Sequence, residues 1–149
     1  MQRVDFYKLT RDPAEKILPA LAMRLLDQGD RLLIVAASAM LRQEIGAALW
    51  SHQPASFLPH GAAGSADEAV EPILIAGEWQ LPAANQARHV AIADGQWHQD
   101  ALQFDRAFFL FDDSNIDQAR ATWRNLAALD GVERHFWQQN DQGRWSELG

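Results

Sequence analysis

Along the chain, hydrophobic and polar positions follow a succession of short periodic patterns separated by turn residues. Val4 and Phe6 alternate with more polar neighbours between Val4 and Leu9, the period of a strand. Asp12 offers a helix N-cap, and Pro13 suits the first helical position because its missing N–H costs nothing there. Ile17, Leu18, Leu21, Leu25 and Leu26 recur at helical spacing, and Gly29 can close that helix in a left-handed conformation. Leu32 to Ala36 is a continuous apolar run, as expected of a strand covered by helices on both faces.

Ser38 is placed to cap a second helix whose stripe, Leu41, Ile45, Ala48 and Leu49, ends near Trp50. From Gln53 to Glu71 the chain reads as loop, punctuated by Pro54, Pro59, Gly61 and Gly64. Pro72 to Ile75 and His89 to Ile92 are short strand candidates, and Phe104 to Phe111 is a stronger one. Asp113 or Ser114 caps a third helix that runs to about Asp130 and stops at Gly131. Val132 to Gln139 and Arg144 to Glu147, around Asn140-Asp141-Gln142-Gly143, form a hairpin pattern. Strands alternating with helices predict an α/β fold: a mostly parallel central sheet, helices on both faces and a C-terminal hairpin. The 149 residues, without repeats, low-complexity tracts or linkers, are expected to form a single domain.

Composition narrows the function. The formal charge is -7, so phosphate backbones are repelled unless the basic residues gather in one patch. DNA contact is therefore expected to be indirect at most. With no cysteine, a disulfide framework and thiolate metal sites are excluded. The N-terminal residues lack a secretory apolar run and the longest apolar stretch, Leu32 to Leu41, is too short for a bilayer; a soluble, cytoplasmic protein is expected.

Chemistry is hard to find. Neither Thr10-Arg11-Asp12-Pro13 nor Ala37-Ser38-Ala39 is a glycine-rich phosphate loop, and Gly61-Ala62-Ala63-Gly64 has no lysine behind it. His52, His60, His89, His98 and His135 show no ligand spacing, so no metal is expected. Asp112-Asp113 precedes a helix, where capping accounts for both carboxylates. No catalytic residue and no cofactor is assigned, and binding is favoured over catalysis.

Two segments suit partners. Trp50, then Phe57 and Leu58 between Pro54 and Pro59, put large apolar groups on a stiffened irregular segment. The alternative is that Trp50 and Leu58 simply cover the end of the second helix. On the third helix, Ile116, Ala119, Trp123 and Leu126 should face the sheet, while Arg120 and Arg124, four apart, flank Trp123. Guanidinium forks beside an indole suit a carboxylate, unless both are merely solvated or paired with Asp113 and Asp117.

Phe6-Tyr7, Leu49-Trp50, Phe57-Leu58-Pro59-His60, Pro72-Ile73-Leu74, Phe104-Asp105-Arg106, Ala119-Arg120, Trp123-Arg124, Trp137-Gln138-Gln139 and Gly143-Arg144-Trp145 form a collinear series. Together they resemble the chi subunits of bacterial DNA polymerase III holoenzyme. The resemblance implies a non-catalytic adaptor of the clamp loader that joins it, through the psi subunit, to the acidic C-terminal tail of single-stranded DNA-binding protein. It implies tail binding by Arg120, Trp123 and Arg124, with Leu110 lining the pocket, and psi binding around Trp50, Phe57, Leu58, Pro59 and His60. Some relatives carry a further basic residue near the start of the third helix; around Ile116-Asp117 there is none, so another cation would have to serve. The rival reading is a nucleotide-using α/β enzyme with a polar cleft at the strand carboxyl ends.

Overall fold

The structure is a computed structural model that describes residues 2–51 and 58–148. Its strands are β1 (Gln2–Lys8), β2 (Leu32–Val35), β3 (Gly61–Ala62), β4 (Ile73–Ala76), β5 (His89–Ile92), β6 (Arg106–Phe111), β7 (Val132–Gln139) and β8 (Trp145–Glu147). Its helices are α1 (Ala14–Asp27), α2 (Ala39–Trp50) and α3 (Ile116–Ala127). The strands form one sheet in the order β3-β4-β2-β5-β6-β1-β7-β8. Every pairing is parallel except β7 with β8, the antiparallel C-terminal hairpin.

Strict alternation along the strands divides the core in two. Tyr7, Leu32, Ile34, Phe108 and Leu110 pack with α1 and α2 on one face. Val4, Phe6, Leu33, Val35, Phe109 and Phe111 pack with α3 on the other. The apolar runs of β2 and β6 are continuous because both faces are covered, whereas successive side chains still point to opposite sides. Fully burying each large apolar side chain contributes roughly 1.5–3 kcal/mol, so the two layers together supply most of the drive to fold.

Local signals account for some helix ends, although Asp113 and Ser114 lie in a 3-10 turn before α3, whose N-cap position is held by Asn115 without a side-chain cap. Ser38 Oγ accepts the Leu41 N–H at 3.2 Å and starts α2. Gly29 takes φ of +81° directly after the C-cap of α1, a conformation that a side chain would strain. Helix α3 ends earlier than expected, at Ala127 with Ala128 as its C-cap, and Gly131, also at +81°, instead leads into β7. Asp12 departs from expectation. Pro13 itself holds the N-cap position of α1, and the Asp12 carboxylate instead accepts the Gln139 amide N–H at 2.8 Å. A nearly buried glutamine from the far end of the chain outcompetes the local cap. The segment read as loop between Gln53 and Glu71 also contains β3, whose two residues pair with β4, and a short 3-10 turn over Glu68–Val70. Phe104 lies before β6, at the end of a 3-10 turn over Gln99–Gln103.

Candidate functional site

The α3 crossover from β6 to β7 lays that helix on the sheet face lined by Phe6 and Phe136. Ala119 and Leu126 are buried there, with Ile116 and Trp123 partly so. The amphipathic spacing thus turns Arg120 and Arg124 outward on either side of Trp123. Arg120, Trp123 and Arg124 line a hollow of about 430 Å³, closed on its other sides by Phe136 of β7 and Leu148 beyond β8.

The indole is held rigidly. Its ring meets Phe6 edge-to-face at 5.2 Å and Phe136 edge-to-face at 5.7 Å. The Arg134 guanidinium carbon lies 4.1 Å from the ring centre, and Nη1 donates a 2.8 Å hydrogen bond to the Trp123 carbonyl. Arg134 therefore closes over one face of the indole while fastening its backbone.

The two arginines of α3 are not neutralised. Among the described residues neither makes an ion pair or a side-chain hydrogen bond. Asp113 is engaged by Lys8 at 3.6 Å. Free forks over an apolar floor can grip a carboxylate while an adjoining ring or branched side chain enters the hollow.

Leu110 does not belong to this arrangement. It is fully buried on the opposite face of the sheet, among residues packed with α1 and α2. The one-residue alternation of β6 gives Phe109 and Phe111 to the α3 side and Leu110 to the other. Phe136, Leu148 and Arg134 were missed by sequence reading. The alternation of Val132, Arg134 and Phe136 along β7 was visible, but only the order of strands shows that this side lies under α3.

Of the second segment, Trp50 stands largely exposed at the end of α2, and Pro59 is exposed. Leu58 is buried in the core, and its N–H bonds the Leu49 carbonyl at 3.0 Å. It thus covers the helix end and is not available to a partner, because the chain folds back there to satisfy an orphan carbonyl. The His60 ring nitrogen Nδ1 lies 2.8 Å from the Leu58 carbonyl, which reinforces the same turn. Phe57 lies outside the described residues.

A cleft of about 550 Å³ does open at the carboxyl ends of β1, β5 and β6, where parallel sheets commonly bind ligands. Its polar groups are mostly spoken for. Asp94 accepts the N–H groups of Ala37 and Gln96, and Asp112 accepts that of Ser114. With Asp12 also on the wall and Arg11 the one lining cation among the described residues, carboxylates outnumber cations in the cleft, which is unfavourable for a polyphosphate. Among the described residues no cluster of side chains suits a metal ion, and no helix is long and apolar enough to cross a membrane.

The model of the family described as DNA polymerase III chi subunit, HolC, matches residues 1–134. The chain belongs to this family. Its members are subunits of the replicative polymerase, so an accessory role in DNA replication follows from membership. No curated protein matches the chain in sequence. Among solved structures, the Sulfolobus solfataricus SWI2/SNF2 ATPase C-terminal domain is similar over 76% of this chain and 56% of that one, at 15% identity and a TM-score of 0.48.

Proposed function

We propose that the chain is a non-catalytic adaptor of the clamp loader that grips the acidic C-terminal tail of single-stranded DNA-binding protein in the α3–β7 hollow. One observation carries the reading. Among the described residues Arg120 and Arg124 have no charged partner, and they stand beside a tightly packed indole, over a hollow walled by Phe136 and Leu148. A tail that ends in a phenylalanine carboxylate preceded by aspartates supplies what that geometry lacks: one ring for the hollow and anions for the forks. Near the start of α3, Lys8 stands 3.6 Å from Asp113 and is the cation placed to serve for the one missing around Ile116-Asp117.

Attachment to the loader would run through the psi subunit at the far end of α2. Exposed Trp50 and Pro59 support that surface, with Leu58 setting the turn from beneath. Each grip can be weak, since many tails crowd one coated strand and linked sites gain from effective concentration.

The experiment is calorimetry with a peptide ending in Asp-Ile-Pro-Phe, titrated into the wild type and Arg120→Ala. A charge-assisted hydrogen bond contributes about 1.5–3 kcal/mol, so the variant should bind about tenfold or more weakly with its thermal midpoint unchanged. Equal affinity in the two proteins would remove the site.

A further inference from the structure

On the opposite face of the sheet lies a second hollow with related ingredients. The crossover from β1 to β2 carries α1 across β6 and β5, and α2 leads on to β3 and β4. Neither passes over β7 and β8. The α1 face of the hairpin is therefore left without a helix, and its aromatic residues, Trp137 and Trp145, are only half-buried. Between them and α1 opens a hollow of about 480 Å³.

The α1 wall presents Lys16 and Arg24, eight residues and about two turns apart, on one side of the helix, with Ile17, Ala20 and Leu21 between them. Both cations are exposed, and among the described residues neither makes an ion pair. The sheet wall is aromatic and fixed. Trp145 meets Tyr7 edge-to-face at 5.2 Å, and Trp137 stacks on Tyr7 at 6.3 Å while its Nε1 donates to Asp5 at 3.0 Å. Arg3 and Arg106 share the carboxylate of Asp5, and Arg3 also meets Glu133 at 3.9 Å, so the excess of positive charge comes from Lys16 and Arg24 on the α1 wall. In a chain of formal charge -7 this local reversal of sign defines where an acidic partner can approach.

We propose that the hollow between α1 and the β7–β8 hairpin is a docking site for an acidic peptide segment of a partner protein. One large apolar side chain of that segment enters between Ile17 and Trp145, and its carboxylates meet Lys16 and Arg24. A single-stranded nucleic acid fits less well. It needs a continuous cationic track, and carboxylates stand at both exits, Asp12 at one and Glu133, paired with Arg3, at the other. The site is distinct from the α3–β7 hollow: β7 gives Phe136 to one and the next residue, Trp137, to the other.

The test is a nitrogen–proton correlation spectrum of the indole N–H groups, which reports each tryptophan separately. The probe is a twelve-residue peptide of aspartate and glutamate around one phenylalanine, with an amidated C-terminus so that no terminal carboxylate is offered to Arg120. The expected result is movement of the Trp137 and Trp145 signals with Trp123 unmoved. Affinity should drop at least tenfold in the Lys16→Glu, Arg24→Gln double variant and at least fivefold when the peptide phenylalanine becomes alanine. Arg120→Ala should bind the amidated peptide like the wild type, so this result stands or falls apart from the tail site. Movement of Trp123 alone, no movement at millimolar peptide, or undiminished binding by the double variant would overturn the proposal. So would an oligothymidylate that moves the two hairpin indoles when the peptide does not.

Discussion

The Arg134 guanidinium carbon stands 4.1 Å from the centre of the Trp123 ring, and the same side chain donates a 2.8 Å hydrogen bond to the Trp123 backbone carbonyl. A cation from β7 thus fixes both the ring and the main chain of the residue at the middle of α3. Such double fastening lets the indole serve as a wall whose ordering cost is met before any ligand arrives.

Arg134→Met keeps an apolar stem over the indole but removes the charge and the donor. Stability should fall by about 2 kcal/mol, combining a cation–π contact with a charged hydrogen bond to a carbonyl. Urea denaturation followed by tryptophan fluorescence reads this directly, and an unchanged midpoint would show that the contact contributes nothing.

Arg124→Glu reverses an exposed charge that touches no acidic partner among the described residues. Folding stability should change by no more than about 0.5 kcal/mol. Binding of the Asp-Ile-Pro-Phe peptide should fall further than in an alanine variant, and its dependence on salt should flatten. Calorimetry at two salt concentrations distinguishes loss of charge from loss of shape.

Leu110→Ala separates core from site. The side chain is fully buried on the face away from α3, so its truncation should cost about 2–5 kcal/mol. The protein that remains folded should bind the tail peptide with wild-type affinity. Reduced affinity at full occupancy of the folded state would return Leu110 to the pocket.

Asp5 is fully buried and accepts hydrogen bonds from Arg3, Arg106 and Trp137. Burial pushes its carboxyl upward, but the three donors outweigh that and hold it below the usual carboxylate value. A lowered folded-state pKa stabilises the protein above the ordinary value near 3.8, and that contribution disappears as pH falls through the lowered one. Asp5→Asn should cost about 1–3 kcal/mol at neutral pH, because Arg106 loses its carboxylate and Arg3 keeps only Glu133. Its stability should also decline less steeply than the wild type's on acidification below pH about 4, as urea midpoints across that range would reveal.

His135 works in the opposite direction. Its hydrogen bond with Glu133 raises its pKa despite partial burial, and Glu147 of β8 adds to the effect from 3.1 Å. A raised folded-state pKa stabilises the hairpin fully below pH about 6.5, and that share is lost as pH rises through the elevated value. Amide exchange at Leu148, whose N–H bonds the Phe136 carbonyl at 2.7 Å, should accelerate above neutrality beyond its intrinsic base dependence. His135→Gln should abolish that excess.

Most elements of this fold and three members of the α3 site could be read in the residues, because helical and strand periods and the caps Ser38 and Gly29 act through near neighbours. Arg120, Trp123 and Arg124 were legible for the same reason, since one helix turn brings them together. The family was legible too, from a collinear series of aromatic and basic positions. Tertiary structure alone decided which strands are neighbours, and therefore that Phe136, Arg134 and Leu148 complete the hollow while Leu110 and Leu58 are withdrawn into the core. Only it could show Asp12 leaving its helix for Gln139, or Asp5 collecting two arginines and an indole. Periodicity fixes which side of its own element a residue occupies, but not which other element lies against that side. Contacts across more than a hundred residues of chain depend on how the whole sheet is ordered.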